Sequence, residues 1–309
     1  MELLVLVGPT AVGKTATAIE LAQQLNGEIV SADSRYLYIG LDIGTAKPTL
    51  AERARVPHHL IDVTTPDQPW TLAQVQAAAM AAIGDIHARG KLPLLVGGTG
   101  QYIRAITEGW QAPPAANPQL RAELETQLAH EGIEALAGRL RAVDPASAEK
   151  VDLRNPRRVI RALEVALTTG ESFVSQRRKS PPPFRILTLG LTRPRPALYA
   201  RIDARVEAMM QAGLLAETRA LVEKGYGWEL PALSALGYKQ IGEHVRGACD
   251  LETAVQSIKR ETRRFVRRQA NWFKPTDPAI QWFDVETVGV GEIGQYIQQR
   301  FNIPNSSDY

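Results

Sequence analysis

Apolar positions along this chain fall into two alternating textures, short unbroken runs and longer stretches with helical spacing. The run Leu3–Val7 is unbroken, stops at Gly8-Pro9, and predicts a strand buried on both faces. From Lys14 to Leu25 the residues Ile19, Ala22 and Leu25 share one helical face, so the chain opens with a strand, a glycine-rich turn and a helix. Further strands are predicted over Glu28–Ser31, His59–Val63, Leu92–Val96, Arg185–Leu191 and Ala279–Phe283, most of them followed by a helical pattern. Strands that alternate with helices predict an α/β fold with a parallel sheet covered on both faces.

Between Trp110 and Pro183 the strand-like runs disappear. Short helical patterns stand there between prolines at Pro113, Pro114, Pro118, Pro145, Pro156 and Pro181 to Pro183. The expected organisation is a core formed by residues 1–110 and 185–309, interrupted by an all-helical insertion over residues 111–184. No internal repeat is visible, and the tail Ser306-Ser307-Asp308-Tyr309 is expected to fray.

Composition narrows the class. With 44% hydrophobic and 22% charged residues, the chain can bury a sizeable core and does not read as disordered. A net charge of +3, from 36 basic and 33 acidic residues, is too small to argue for nucleic acid; the placement of charge has to carry that argument. Cys249 is the single cysteine, which excludes an internal disulfide and a cysteine zinc cluster and fits a reducing cytoplasm. Leu3–Val7 lacks the basic leader and cleavage site of a signal peptide, and no run is long enough to span a bilayer, so no membrane role is expected.

The turn after the first strand carries chemistry. Gly8-Pro9-Thr10-Ala11-Val12-Gly13-Lys14-Thr15 matches G-x-x-x-x-G-K-T and lies between a predicted strand and a predicted helix, the context this motif requires. Its glycines let backbone N–H groups curl around phosphate oxygens, the helix N-terminus adds positive potential, Lys14 neutralises charge and the Thr15 hydroxyl can bind magnesium. The expected core is therefore P-loop NTPase-like. A phosphate loop implies a bound diphosphate or triphosphate but not the reaction, and no clean second-strand acid marks a nucleotide hydrolase. At the end of the next strand, Asp33 would face the same edge as the loop and could hold or deprotonate a nucleophile. It could equally cap a turn, and spacing alone does not separate the two readings. His58 and His59 lack cysteine or acidic partners at ligand spacing and read as structural.

Basic residues gather late in the chain. Lys259, Arg260, Arg263, Arg264, Arg267 and Arg268 form a helical stripe, and from Ser257 to Lys274 seven basic residues less Glu261 leave a local charge of +6. Ile258, Phe265 and Trp272 are expected to anchor the opposite face to the core. Arg154, Arg157, Arg158 and Arg161 make a second group, and Arg177-Arg178-Lys179 follows. Such stripes suit nucleic-acid phosphates, although a solvated basic face has the same pattern.

Taken in order, the phosphate loop, Ser31–Tyr38, Asp42–Pro48, His59–Val63, Gly97–Tyr102, Asn155–Glu164, Leu236–Gln240 and Thr262-Arg263 through Arg268-Gln269 resemble the tRNA dimethylallyltransferases (tRNA isopentenyltransferases) of bacterial type, which lack the zinc finger of eukaryotic members. The resemblance covers most of the chain. It implies dimethylallyl diphosphate in the phosphate loop and transfer to the N6 amine of the adenosine 3′-adjacent to the anticodon, in tRNAs reading U-initial codons, with pyrophosphate released. By the family's roles Asp33 is the general base, Thr99 and Arg205 bind the diphosphate near its bridging oxygen, and Gly8 to Thr15 cradle it with Mg2+ on Thr15. The tRNA contacts implied are Asp33, Ser34, Arg35, Tyr36, Thr99, Arg121, Arg157, Arg158, Val159, Ile160, Arg161, Ser234, Ala235, Leu236, Gly237, Tyr238 and Lys239, joined by Arg263, Arg267 and Arg268 of the basic stripe. Partners expected are the tRNA anticodon stem-loop and the isoprenoid diphosphate, with the enzyme a monomer. The family often has glutamine at Tyr36, arginine near Ser234 and an apolar residue at Gln101. Without the resemblance, Arg205 reads as an exposed helix arginine paired with a neighbour such as Asp203. Alternatives are an adenylate isopentenyltransferase acting on free AMP, ADP or ATP, a small-molecule kinase, and a nucleic-acid-binding module without chemistry. The basic insertion and stripe argue against the first, and Lys14, Thr15, Asp33 and Thr99 against the last.

Overall fold

A computed structural model describes residues 1–110, 117–175 and 179–303. The N-terminal apolar run forms β1 (Glu2–Val7) and leads through the glycine turn into α1 (Lys14–Gln24). The chain continues through β2 (Gly27–Ser31), α2 (Leu50–Arg55), β3 (His58–His59), α3 (Leu72–Ala88), β4 (Leu92–Val96) and α4 (Gly100–Glu108). Three helices follow, α5 (Pro118–Val143), α6 (Pro145–Lys150) and α7 (Pro156–Thr169). Then come β5 (Arg185–Thr192), α8 (Arg195–Gln211), α9 (Leu214–Glu223), α10 (Tyr238–Val245), α11 (Leu251–Gln269), β6 (Ile280–Asp284) and α12 (Val290–Phe301).

All six strands join one parallel sheet in the order β3-β2-β4-β1-β5-β6. β1 lies between β4 and β5, with Val5 opposite Leu95 on one side and Thr188 on the other. The pleat sends Leu4 and Leu6 into a core with Ile19, Ile202 and Ile293, and Leu3, Val5 and Val7 into a second core with Ile83 and Ile103. Helices therefore cover both faces, which is why β1 reads as an unbroken apolar run. Each such buried side chain contributes about 1.5–3 kcal/mol.

One expected strand is shortened. Of the expected strand His59–Val63 only His59 pairs with β2, together with the preceding His58, because Leu60 and Asp62 take left-handed backbone conformations (φ 62° and 56°) that a ladder cannot accommodate. The Asp62 carboxylate is used instead, receiving hydrogen bonds from Lys47 and Arg53. His59 Nε2 pairs with the buried Glu28 at 2.8 Å, and His58 Nδ1 meets the Val56 carbonyl at 2.7 Å. Arg89 and Lys91 complete the shell of Glu28.

The chain divides into two compact units, residues 1–107 with 183–309, and residues 108–182. Within the second unit the described residues form helices α5 to α7 and one isolated bridge between Trp110 and Lys179. Leu124, Leu136, Leu140, Val159 and Leu163 build its core, and α5 is broken at Gly132, where φ is 79°. Glu164 is buried there and accepts from the Asn117 amide, Arg121 and Arg161. Arg177, Arg178 and the C-terminal tail lie outside the described residues.

Candidate active site

Parallel strands end on one edge, so the turns after β1, β2 and β4 meet there. Gly8 (φ 145°) lets the chain leave β1 beside the Leu191 carbonyl, which an added Cβ would approach to 2.6 Å. Gly97 allows a still closer approach, since a Cβ there would stand 2.3 Å from the Ala32 carbonyl oxygen. Through that approach Thr99 N donates to Ala32 O at 3.2 Å, and the Thr99 hydroxyl accepts from the Ser34 amide at 3.1 Å. Thr99 is thereby fixed beside Asp33.

No side chain caps the N-terminus of α1, so its first amides open towards the cavity lined by Gly13, Lys14, Thr15 and Ala16. The Lys14 ammonium donates to the carbonyls of Gly8 at 2.9 Å and Pro9 at 2.8 Å. Burial lowers its pKa to about 8, opposed by nearby Asp33 and reinforced by Arg205. An anion in the loop would supply the missing counter-charge.

Two cavities of about 330 Å³ share this edge, each large enough for a diphosphate or a nucleobase. The first follows the phosphate loop and includes Tyr36 and Arg201; the second includes Ser34, Arg35, Thr99 and Leu236. Asp33, Arg205, Phe265 and Gln269 line both. Asp33 Oδ1 accepts from the Arg35 amide at 2.9 Å, so the carboxylate does cap its turn; Oδ2 has no hydrogen bond to a described residue. Capping and facing the cavity are thus compatible.

Arg205 does not pair with Asp203, which Arg263 takes instead. Its guanidinium reaches Thr10 Oγ1 and the Ala46 carbonyl, both at 3.4 Å. Arg201, one helical turn earlier, donates to the Ala11 carbonyl at 3.0 Å. The i, i+4 spacing of the two arginines on α8 was the signal for Arg201, which the sequence reading did not assign. Gln269 was also unassigned. Its side-chain carbonyl accepts from Thr10 N at 2.8 Å and its amide donates to Gly98 O at 3.3 Å.

Other residues expected at the site divide by location. Arg35 is committed to Pro231 O at 2.6 Å and Ser234 Oγ at 3.3 Å. Ala235 and Leu236 line the second cavity, but Tyr238 is fully buried, and its hydroxyl bonds Glu217 and the Gly44 amide. Gly237 is buried at the start of α10, whereas Lys239 is exposed. Phe265 lies on the cavity wall and not in the core; Ile258 is buried, and Trp272, beyond the end of α11, packs partly buried against the second core and Gly100, so two of the three expected anchors reach a core. Along the stripe, Lys259 pairs with Glu207, Arg260 and Arg264 with Glu261, and Arg263 with Asp203. Among the described residues no ion pair engages Arg267 or Arg268, and Arg268 sits 5.8 Å over the Phe265 ring. In the second unit Arg157 and Arg158 are exposed, Arg121 and Arg161 face Glu164, and Val159 and Ile160 are buried in its core.

A phosphate loop, an acidic residue and convergent arginines on the carboxyl edge of an all-parallel sheet define a P-loop-type α/β protein. Residues 36–276 match the family model described as IPP transferase, and residues 1–62 match one described as isopentenyl transferase. The chain belongs to the IPP transferase family. It is similar to the tRNA dimethylallyltransferase of Roseiflexus castenholzii, 58% identical over 89% of this chain and 90% of that protein. The tRNA isopentenylpyrophosphate transferase of Bacillus halodurans superposes with a TM-score of 0.73 at 38% identity, covering 97% of each chain. A eukaryotic dimethylallyltransferase acting on tRNA gives a TM-score of 0.83 at 27% identity, over 99% of this chain and 81% of that one.

Proposed function

We propose that the protein transfers a dimethylallyl group from dimethylallyl diphosphate to the N6 amine of the adenosine 3′-adjacent to the anticodon of tRNAs reading U-initial codons. The observation that carries this reading is the position of Asp33, which forms wall of both cavities at once. A carboxylate between a diphosphate site and a second chamber meets the need of alkyl transfer from one to the other.

The loop amides, Lys14 and Arg205 hold the diphosphate and stabilise the charge that develops on it as the allylic C–O bond breaks. Thr15 presents one hydroxyl at the loop, and no cluster of three acidic, histidine or cysteine ligands exists among the described residues. One protein oxygen together with phosphate oxygens suits Mg2+, which binds through few protein ligands and through substrate phosphates. Held by Thr15, Mg2+ would neutralise charge on the departing pyrophosphate. Asp33 Oδ2 accepts a proton from the adenine amine as nitrogen bonds to carbon, and Thr99, fixed by Ser34 beside Asp33, joins Arg205 in binding the diphosphate near its bridging oxygen.

The acceptor base would be splayed from the anticodon loop into the second cavity, where Phe265 offers a face for stacking. Arg267 and Arg268 would meet its backbone phosphates, and exposed Arg157 and Arg158 of the second unit would add contacts. No helix among the described residues is long and apolar enough to cross a membrane.

The test is transfer of labelled dimethylallyl from its diphosphate, with magnesium, to unmodified tRNA reading U-initial codons, beside AMP and ATP as acceptors. Label on tRNA alone is expected. Label on free nucleotides would move the enzyme to mononucleotide prenylation, and ATP turnover without label would make it a kinase.

A further inference from the structure

Tyr36 belongs to the segment that family resemblance assigns to tRNA, but its side chain keeps different company. Ser34, Arg35 and Thr99 line the second cavity, whereas Tyr36 lines only the cavity of the phosphate loop. Its hydroxyl donates to the Ala46 carbonyl at 2.9 Å, with the Thr15 hydroxyl and the Arg205 guanidinium as its other polar neighbours.

That carbonyl is held in place. Ala46 has a left-handed backbone (φ 52°), and the next residue, Lys47, is buried with its ammonium on Asp42, Asp62 and the Tyr38 carbonyl. Arg205 reaches the same Ala46 oxygen and Thr10 Oγ1 at long range, 3.4 Å each. Thr10, Arg205, Ala46, Tyr36 and Thr15 therefore form a continuous collar at the mouth of the loop. Its donors, a guanidinium and a phenol, converge on one neutral carbonyl. Phosphate oxygens are the stronger acceptors, because hydrogen bonds to charged oxygen are about twice as strong as neutral ones.

We propose that Tyr36 is a donor-side positioning residue, whose hydroxyl turns from the Ala46 carbonyl to a non-bridging oxygen of the bound diphosphate beside Thr15. This rests on the transferase reading above and deepens it, by assigning to the isoprenoid diphosphate a residue expected to serve the tRNA. The phenol is not among the groups that line the second cavity, where the base is placed.

Steady-state kinetics and tRNA binding of Tyr36→Phe and Tyr36→Gln test the assignment. Tyr36→Phe should raise the KM for dimethylallyl diphosphate about tenfold, the loss of one hydrogen bond to a charged oxygen, and leave the tRNA Kd within about twofold. Tyr36→Gln, which retains an N–H donor, should recover part of the loss, and matching thermal melts will show that both variants fold. Weaker tRNA binding with unchanged donor KM, or no change in either, would overturn the proposal. If the wild-type enzyme transfers no dimethylallyl group, the transferase reading fails by itself. Calorimetry with pyrophosphate then still decides the contact, with about tenfold weaker binding by Tyr36→Phe expected and equal binding overturning it.

Discussion

The side-chain carbonyl of Gln269 accepts the backbone N–H of Thr10 at 2.8 Å, so the last residue of α11 holds the phosphate loop 259 positions earlier in the chain. Its amide reaches Gly98 O on the turn that carries Thr99. One buried glutamine thus sets the distance between the phosphate loop and the turn that carries Thr99.

Replacing Gln269 by alanine leaves a loop N–H and a turn carbonyl without partners, at a cost of about 1–3 kcal/mol. We expect kcat/KM for dimethylallyl diphosphate to fall about tenfold or more. Thermal melting checks the parallel loss of stability; unchanged kinetics would show that Gln269 only fills space.

For Asp33→Asn the expected loss is in turnover. Shape is kept while the base is removed, so kcat should drop about 10²- to 10⁴-fold. Pyrophosphate binding by calorimetry should stay close to wild type. Near-normal single-turnover rates would remove Asp33 from its role as base.

Arg267→Ala combined with Arg268→Ala removes the two stripe cations that engage no described acid. If each meets one phosphate, the plot of log Kd for tRNA against log salt should be shallower by about 1.5. Arg260→Ala, whose partner is Glu261, should change that slope much less. Equal slopes for the two variants would mean that α11 does not track the backbone.

Glu28 gives a prediction in acid. Hydrogen bonds from Arg89, and then from Lys91 and His59, outweigh burial and hold its pKa far below the ordinary carboxylate value of 4.5. A depressed carboxylate stabilises the fold fully above the unfolded value, and that contribution is lost as pH falls below about 4.5. Glu28→Gln should cost about 2–3 kcal/mol at pH 7 and flatten the fall in stability over that acid range, measured by urea melts at a series of pH values.

How far the fold could be read in advance depended on whether local pattern or distant contact decides each segment. β1, the phosphate loop and β4 are set by unbroken apolar runs and by glycines with local purposes, and they stand where the pattern put them. β3 stops early because Leu60 and Asp62 turn left-handed to let Asp62 meet Lys47 and Arg53, a requirement no residue at 59–63 announces. Phe265 looked like a core anchor since period alone cannot distinguish the wall of a cavity from the interior. Tyr238 and Val159 sit inside segments that carry exposed neighbours, and their burial arises from Glu217 and from the α5 to α7 packing. Gln269 was hidden for the same reason: its partners, Thr10 and Gly98, lie far away in sequence.

β1 is made well before either of its neighbours in the sheet, residues 92–96 and 185–192. Every ladder bond on its flanks must await chain made about 90 and 180 residues later, and the glutamine that braces the adjoining loop comes later still. The two flanks of this central strand are therefore closed only by chain made long after it. Nascent chains carry an incompletely covered hydrophobic strand until β5 emerges, so chaperone dependence and sensitivity to translation rate should concentrate on these six residues.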